Sequence, residues 1–199
     1  MPSTRKIGLF FGSFNPVHVG HMIIANFMVE HSDLDQIWMV VSPHNPHKNK
    51  KTLAKDRDRL HLVDLAIGHN PNIRPSDIEF GLPKPSYTID TLTYLKEKYP
   101  SKEFSLIMGG DNLGTLNKWK NYEMILDNHH IYVYARPNYT LGDLADHKSV
   151  TVLEDAPLLS ISASYIRRQI KEGKNPQYLL PDSVYEYIKD SNLYKNTFL

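Results

Sequence analysis

Two short apolar runs open the chain, Ile7 to Phe11 and Ile37 to Val41, closed by Gly12-Ser13 and Ser42-Pro43. Runs of that length between turn residues predict buried strands. Between them, Val19 to about His31 carries Ile23, Ala25, Phe27, Met28 and Val29 among few polar residues, the pattern of a helix packed on a sheet. The chain therefore begins β-α-β. Farther on, the spacing predicts an amphipathic helix over Arg57 to Ile67, extended chain over Ile73 to Phe80, and a helix over Thr88 to Tyr99 that Pro100 ends. Phe104 to Met108, His130 to Tyr134 and Val150 to Leu153 follow as strands, and helices starting at Ser162 and Asp182 close the alternation. This order predicts an α/β fold, doubly wound, with a mainly parallel sheet, helices on both faces and ligands beyond the carboxyl ends of the strands.

Composition narrows the picture. With 199 residues and 41% hydrophobic, one domain spanning 1–199 is expected. Lys plus Arg (23) nearly balances Asp plus Glu (22), so no net field would hold the chain on nucleic acid or an anionic membrane, and any bound anion needs a local site. The chain has no cysteine, which removes disulfides and thiolate chemistry. The N-terminal apolar stretch is too short for a signal segment or a membrane span, so a cytoplasmic protein is expected. The one compositional shift is Pro43 to Lys55, rich in lysine and holding His44 and His47, expected to be a solvated, mobile loop.

Chemistry concentrates in Gly12-Ser13-Phe14-Asn15-Pro16-Val17-His18-Val19-Gly20-His21, at the turn between the first strand and the first helix. Gly12 and Ser13 would let the backbone turn tightly and approach a ligand, Pro16 would fix the entry, and the helix N-terminus would offer N–H groups to phosphate. His18 and His21 lie three apart, which puts both rings on one face of a first turn, with Gly20 leaving room between them. Two imidazole donors could then meet one phosphate chain. Two plainer readings stand beside this one: histidines that cap the helix or pack as rings, and a zinc site, for which the residues lack a Cys or Glu partner pattern.

The ten-residue string resembles the hallmark Gly-x-Phe-x-Pro-x-His-x-Gly-His of a nucleotidyltransferase superfamily, in which phosphopantetheine and pyridine-nucleotide adenylyltransferases are found. Ile161-Ser162-Ala163-Ser164-Tyr165-Ile166-Arg167 is similar to that superfamily's second hallmark, Ser/Thr-x-x-Ile-Arg. Ser162 or Ser164 can cap the helix there, while its amides and the Arg167 guanidinium suit phosphate oxygens. Three further segments resemble the bacterial nicotinate-nucleotide adenylyltransferases. These are Pro46-His47-Lys48 with Arg59 and Leu65-Ala66-Ile67 behind it; Ser86-Tyr87-Thr88-Ile89-Asp90-Thr91-Leu92; and Gly109-Gly110-Asp111-Asn112-Leu113 followed by Trp119, with Arg136-Pro137 beyond. Small departures are Ser13 and Gly110, where glycine and alanine are common, and Ser164 where threonine is common.

The resemblance implies a Rossmann-like fold and direct transfer of the adenylyl group of ATP to nicotinate mononucleotide, with pyrophosphate leaving and no covalent enzyme intermediate. It implies His18, His21, Lys48 and Arg167 as catalytic groups. Gly12, Ser13, Phe14, His18, Gly20, His21, Gly109, Asp111, Ser162, Ile166 and Arg167 would meet ATP. Asn15, His47, Lys48, Tyr87, Thr88, Asp111, Trp119 and Arg136 would meet the mononucleotide. Thr88 and its neighbouring amides would receive the nicotinate carboxylate, for which a helix N-terminus is better suited than for a neutral carboxamide; Ser86 or Thr88 could also simply cap that helix. Asp111 would accept from ribose hydroxyls, and Trp119 would offer a flat face to the pyridine, with burial in the core as its plainer alternative. Mg²⁺ would come with ATP and need no protein side chain. Nicotinamide mononucleotide, phosphopantetheine, a cytidylyl reaction or a non-catalytic nucleotide sensor are the alternatives, and a homo-oligomeric state stays open.

Overall fold

The computed structural model describes residues 4–43, 53–135, 141–157 and 159–195. Its strands are β1 (Arg5–Gly12), β2 (Gln36–Val41), β3 (Ile73–Ser76), β4 (Lys102–Gly109), β5 (Ile131–Tyr134) and β6 (Val150–Leu153). The helices are α1 (Val19–His31), α2 (Asp56–Ile67), α3 (Thr88–Lys98), α4 (Gly110–Leu113), α5 (Tyr122–Asn128), α6 (Ala163–Lys171) and α7 (Asp182–Asp190). The strands form one sheet in the order β3-β2-β1-β4-β5-β6, and every pairing is parallel.

Period-two alternation divides the strand residues between two cores. Phe10, Met39, Ile107 and Tyr132 face one side, where they meet Ile24 and Met28 of α1, Leu62 of α2, Ile166 of α6 and Val184 of α7. Leu9, Trp38, Leu106 and Val133 face the other, against Leu92 and Leu95 of α3 and Ile125 of α5. Both faces are covered, so the sheet is doubly wound and Rossmann-like, and its central strands are apolar on both sides.

The order reverses between β1 and β4, which pair in register from Arg5 with Lys102 to Phe10 with Ile107. From the end of β1 the chain turns into α1 on the first face, and from the end of β4 it turns into α4 and then α5, whose core residues belong to the second. Two loops diverging in this way open a crevice at the carboxyl edge of the sheet, the usual ligand position of such folds.

Three elements differ from expectation. The extended stretch Ile73 to Phe80 stops at Ser76 and becomes a single 3-10 turn over Ile78–Gly81. Ser76 Oγ accepts the N–H of Ile78, giving the backbone a local partner in place of the ladder. Helices α4 and α5 are additional; at 4 and 7 residues they are too short to show periodicity.

Candidate active site

The loop from Gly12 to His18 turns at Phe14, whose φ of 41° is left-handed, and not at Gly12 or Ser13. Gly12 has a different reason to lack a side chain: a Cβ there would lie 2.7 Å from the Phe14 ring. That ring is buried, edge-on to Phe10 at 5.9 Å and to His21 at 5.0 Å.

His18 is the N-cap residue of α1 and 7% exposed. Its ring stacks on that of His21, centroids 3.7 Å apart and planes 25° from parallel, and its backbone N–H donates to His21 Nδ1 at 3.2 Å. Gly20 permits the stack, because a Cβ there would lie 3.2 Å from His18 Nδ1. Helix capping and ring packing, set apart as alternatives by the sequence, are one arrangement here. With Nδ1 accepting a backbone proton, neutral His21 carries its own proton on Nε2.

Arg167 donates through Nη1 to the carbonyl of Asn15 at 2.6 Å across 152 residues of sequence, which brings the second motif onto the first. Burial holds its guanidinium below its ordinary pKa, and Tyr194 acts in the opposite direction. The tether exists because α6 starts where Ser162 Oγ accepts the N–H of Tyr165 at 3.2 Å, while Ile166 sinks into the core. Ile166, expected at ATP, is 0% exposed and its N–H bonds Ser162 O.

Beneath the loop lies Arg59, fully buried and tied to four acceptors: Ser13 O, Ser42 O at 2.9 Å, Ala54 O at 3.1 Å and the Asp56 carboxylate at 2.7 Å. Asn15 Oδ1 accepts the Ala54 N–H at 3.1 Å. The stems Ser42 and Ala54 of the lysine-rich loop are thus fastened to the histidine motif. His47 and Lys48 of that loop, like Arg136, lie outside the described residues.

Across the switch point, Gly109 ends β4 and Asp111 sits in the short α4. The third cluster is the start of α3. Its N-cap is Tyr87, without a side-chain capping bond, so neither Ser86 nor Thr88 caps it. Thr88 is the first helical residue, and Tyr87 is 41% exposed. Trp119 packs one side against the second core and stays partly exposed, between the two readings of it. Next to it Lys120 pairs with Asp90 at 2.9 Å and lies 4.7 Å from the centre of the Tyr87 ring, joining Trp119 to the start of α3. Sequence reasoning passed over Lys120, and also the buried Glu79, 3% exposed, whose carboxylate accepts from Thr91 Oγ1 at 2.9 Å. Charged residues on amphipathic segments carry no local sign of burial.

The fold and site define a nucleotidyltransferase, and the cytidylyltransferase-like family matches residues 9–169. The chain is 60% identical over 194 residues to the "Probable nicotinate-nucleotide adenylyltransferase" of Flavobacterium johnsoniae, covering 96% of this chain and 99% of that one. It is 58% identical to the protein so named in Flavobacterium psychrophilum, with the same coverage. The chain belongs to the nicotinate-nucleotide adenylyltransferase family. The nicotinic acid mononucleotide adenylyltransferase of Plasmodium falciparum, solved with NaAD, shares the fold at a TM-score of 0.80, with 18% identity and coverage of 96% and 97%.

Proposed function

We propose that the chain joins ATP to nicotinate mononucleotide, giving nicotinic acid adenine dinucleotide and pyrophosphate, a step of NAD biosynthesis. The observation that carries this reading is the meeting of the stacked His18–His21 pair with Arg167 on one loop at the sheet's switch point. A phosphate oxygen of the mononucleotide attacks the α-phosphorus of ATP, the new P–O bond forms, and the bond to the β-phosphate breaks with its electron pair leaving on pyrophosphate. The protein supplies positioning and charge. His21 Nε2–H and His18 donate to the triphosphate, Arg167 draws its oxygens, and the loop backbone from Gly12 to Phe14, Gly20, Gly109, Asp111 and Ser162 shape the nucleotide's bed. The acceptor lies between Trp119 and the start of α3, its carboxylate toward Thr88 and Tyr87, with Asn15 near its phosphate. His47, Lys48 and Arg136 complete the set by resemblance.

Mg²⁺ fits this donor set in one way. Among the described residues no three His, Asp or Glu side chains converge as a cage, and imidazole, guanidinium and amide donors suit phosphate oxygens. The ion is hard and prefers oxygen, so the ATP phosphates and water would hold it, and it would neutralise charge on the triphosphate. Among the described residues no helix is long and apolar enough to cross a membrane; a cytoplasmic place is part of the proposal.

The test is pyrophosphate release by the purified protein with ATP, Mg²⁺ and, separately, nicotinate mononucleotide, nicotinamide mononucleotide and phosphopantetheine. Turnover fastest with the nicotinate compound is expected; ATP left intact with every pyridine mononucleotide would refute the assignment.

A further inference from the structure

We infer that Glu79 is a positioning residue that fixes the acceptor-binding start of α3 against the loop that holds the triphosphate; the inference rests on the function proposed above. Glu79 is 3% exposed and belongs to the turn between β3 and α3. The Thr91 hydroxyl, one turn into α3, donates to its carboxylate at 2.9 Å, and the hydroxyls of Ser42 after β2 and Ser86 before α3 act on the same carboxyl in favour of its charged form, against the burial that raises its pKa. Each partner is itself tied to a site element. Ser42 N–H donates to Gly12 O at 2.9 Å, and its carbonyl accepts from Arg59, which also binds Ser13 O. Ser86 directly precedes Tyr87 and Thr88, and the Thr91 N–H bonds the carbonyl of Tyr87 at 3.1 Å. A polar chain therefore runs Ser13–Arg59–Ser42–Glu79–Ser86, from the histidine loop to the first residues of α3.

Stability alone gives a poor account of Glu79. Burying a carboxyl is costly, and an apolar side chain would fill the same space without that cost. What a carboxylate provides there is several fixed acceptor directions, which set three elements at defined distances. The α3 end of this chain is the end assigned to the mononucleotide, so the effect should fall on that substrate.

The experiment compares wild type, Glu79→Ala and Glu79→Gln by steady-state kinetics, varying ATP and nicotinate mononucleotide separately. For Glu79→Ala, KM for the mononucleotide should rise about tenfold or more, with KM for ATP changed by less than about twofold. Gln keeps one carbonyl acceptor in place and should recover most of the loss. If Glu79→Ala does not fold, Ser86→Ala, which removes one donor, should show the same split to a lesser degree. Equal shifts of both KM values, or no shift of either, would overturn the inference. A wild type without turnover on the mononucleotide would instead overturn the functional reading beneath it.

Discussion

The backbone N–H of His18 points at Nδ1 of His21, 3.2 Å away, under two rings stacked at 3.7 Å. The bond uses Nδ1 of His21 for structure; the proposed function assigns Nε2 to the triphosphate. His21→Asn can keep an acceptor near Nδ1 while losing the Nε2–H donor. It should therefore fold with near-native stability and lose turnover on the order of a hundredfold, the usual effect of deleting a donor to developing charge. His18→Ala should lose turnover to a similar degree. Pyrophosphate release beside a thermal melt measures both, and native turnover in His21→Asn would reduce the histidine to a cap.

Gly12→Ala tests the packing beneath the pair. The new Cβ would lie 2.7 Å from the Phe14 ring, which is wedged edge-on against His21. Overpacking of this kind costs about 1–3 kcal/mol. Because the ring that has to move packs against His21, turnover should fall further than the melting curve alone implies.

Arg59→Met should be among the most damaging changes in α2. It removes the donors to Ser13, Ser42 and Ala54 carbonyls and leaves Asp56 without its partner at 2.7 Å. A buried acceptor left without its donor costs about 1–3 kcal/mol, which urea unfolding would register. Arg59→Lys should recover only part, since a single ammonium cannot span acceptors that lie around a planar fork.

His129 gives a pH signature. Burial lowers its pKa, with Lys96 adding to the effect, while its ring bonds the Phe104 carbonyl at 2.9 Å. Above the unfolded value of about 6.5 the ring is neutral in both states and stability is full. As pH falls below that value the unfolded chain takes up a proton that the folded chain refuses, so stability drops until the folded pKa is passed. Urea unfolding between pH 7.5 and 5.5 should show a larger loss for wild type than for His129→Gln. Identical losses would contradict the assignment.

Local pattern and local spacing made much of this protein legible. The alternation of short apolar runs with amphipathic segments fixed most of the elements, because the central strands bury both faces and each long helix one stripe. The string from Gly12 to His21 was readable because its parts act over a single turn: Gly20 has to be small for the His18 ring, and His21 has to lie three residues on to meet its backbone. Short elements such as α4, α5 and the turn at Ile78 escaped, being held by what surrounds them.

The chain's own order of residues determined the alternation, the two motifs and the kind of chemistry they carry. Only tertiary structure decided that β1 and β4 would be neighbours, that Arg167 would reach the carbonyl of Asn15, and that Arg59 and Glu79 would lie buried under the loops. The reason is that carbonyls at strand ends and hydroxyls at helix starts have to find partners wherever folding brings them. A charged residue that meets this need from far along the chain looks, in its local setting, like any other on a solvated face.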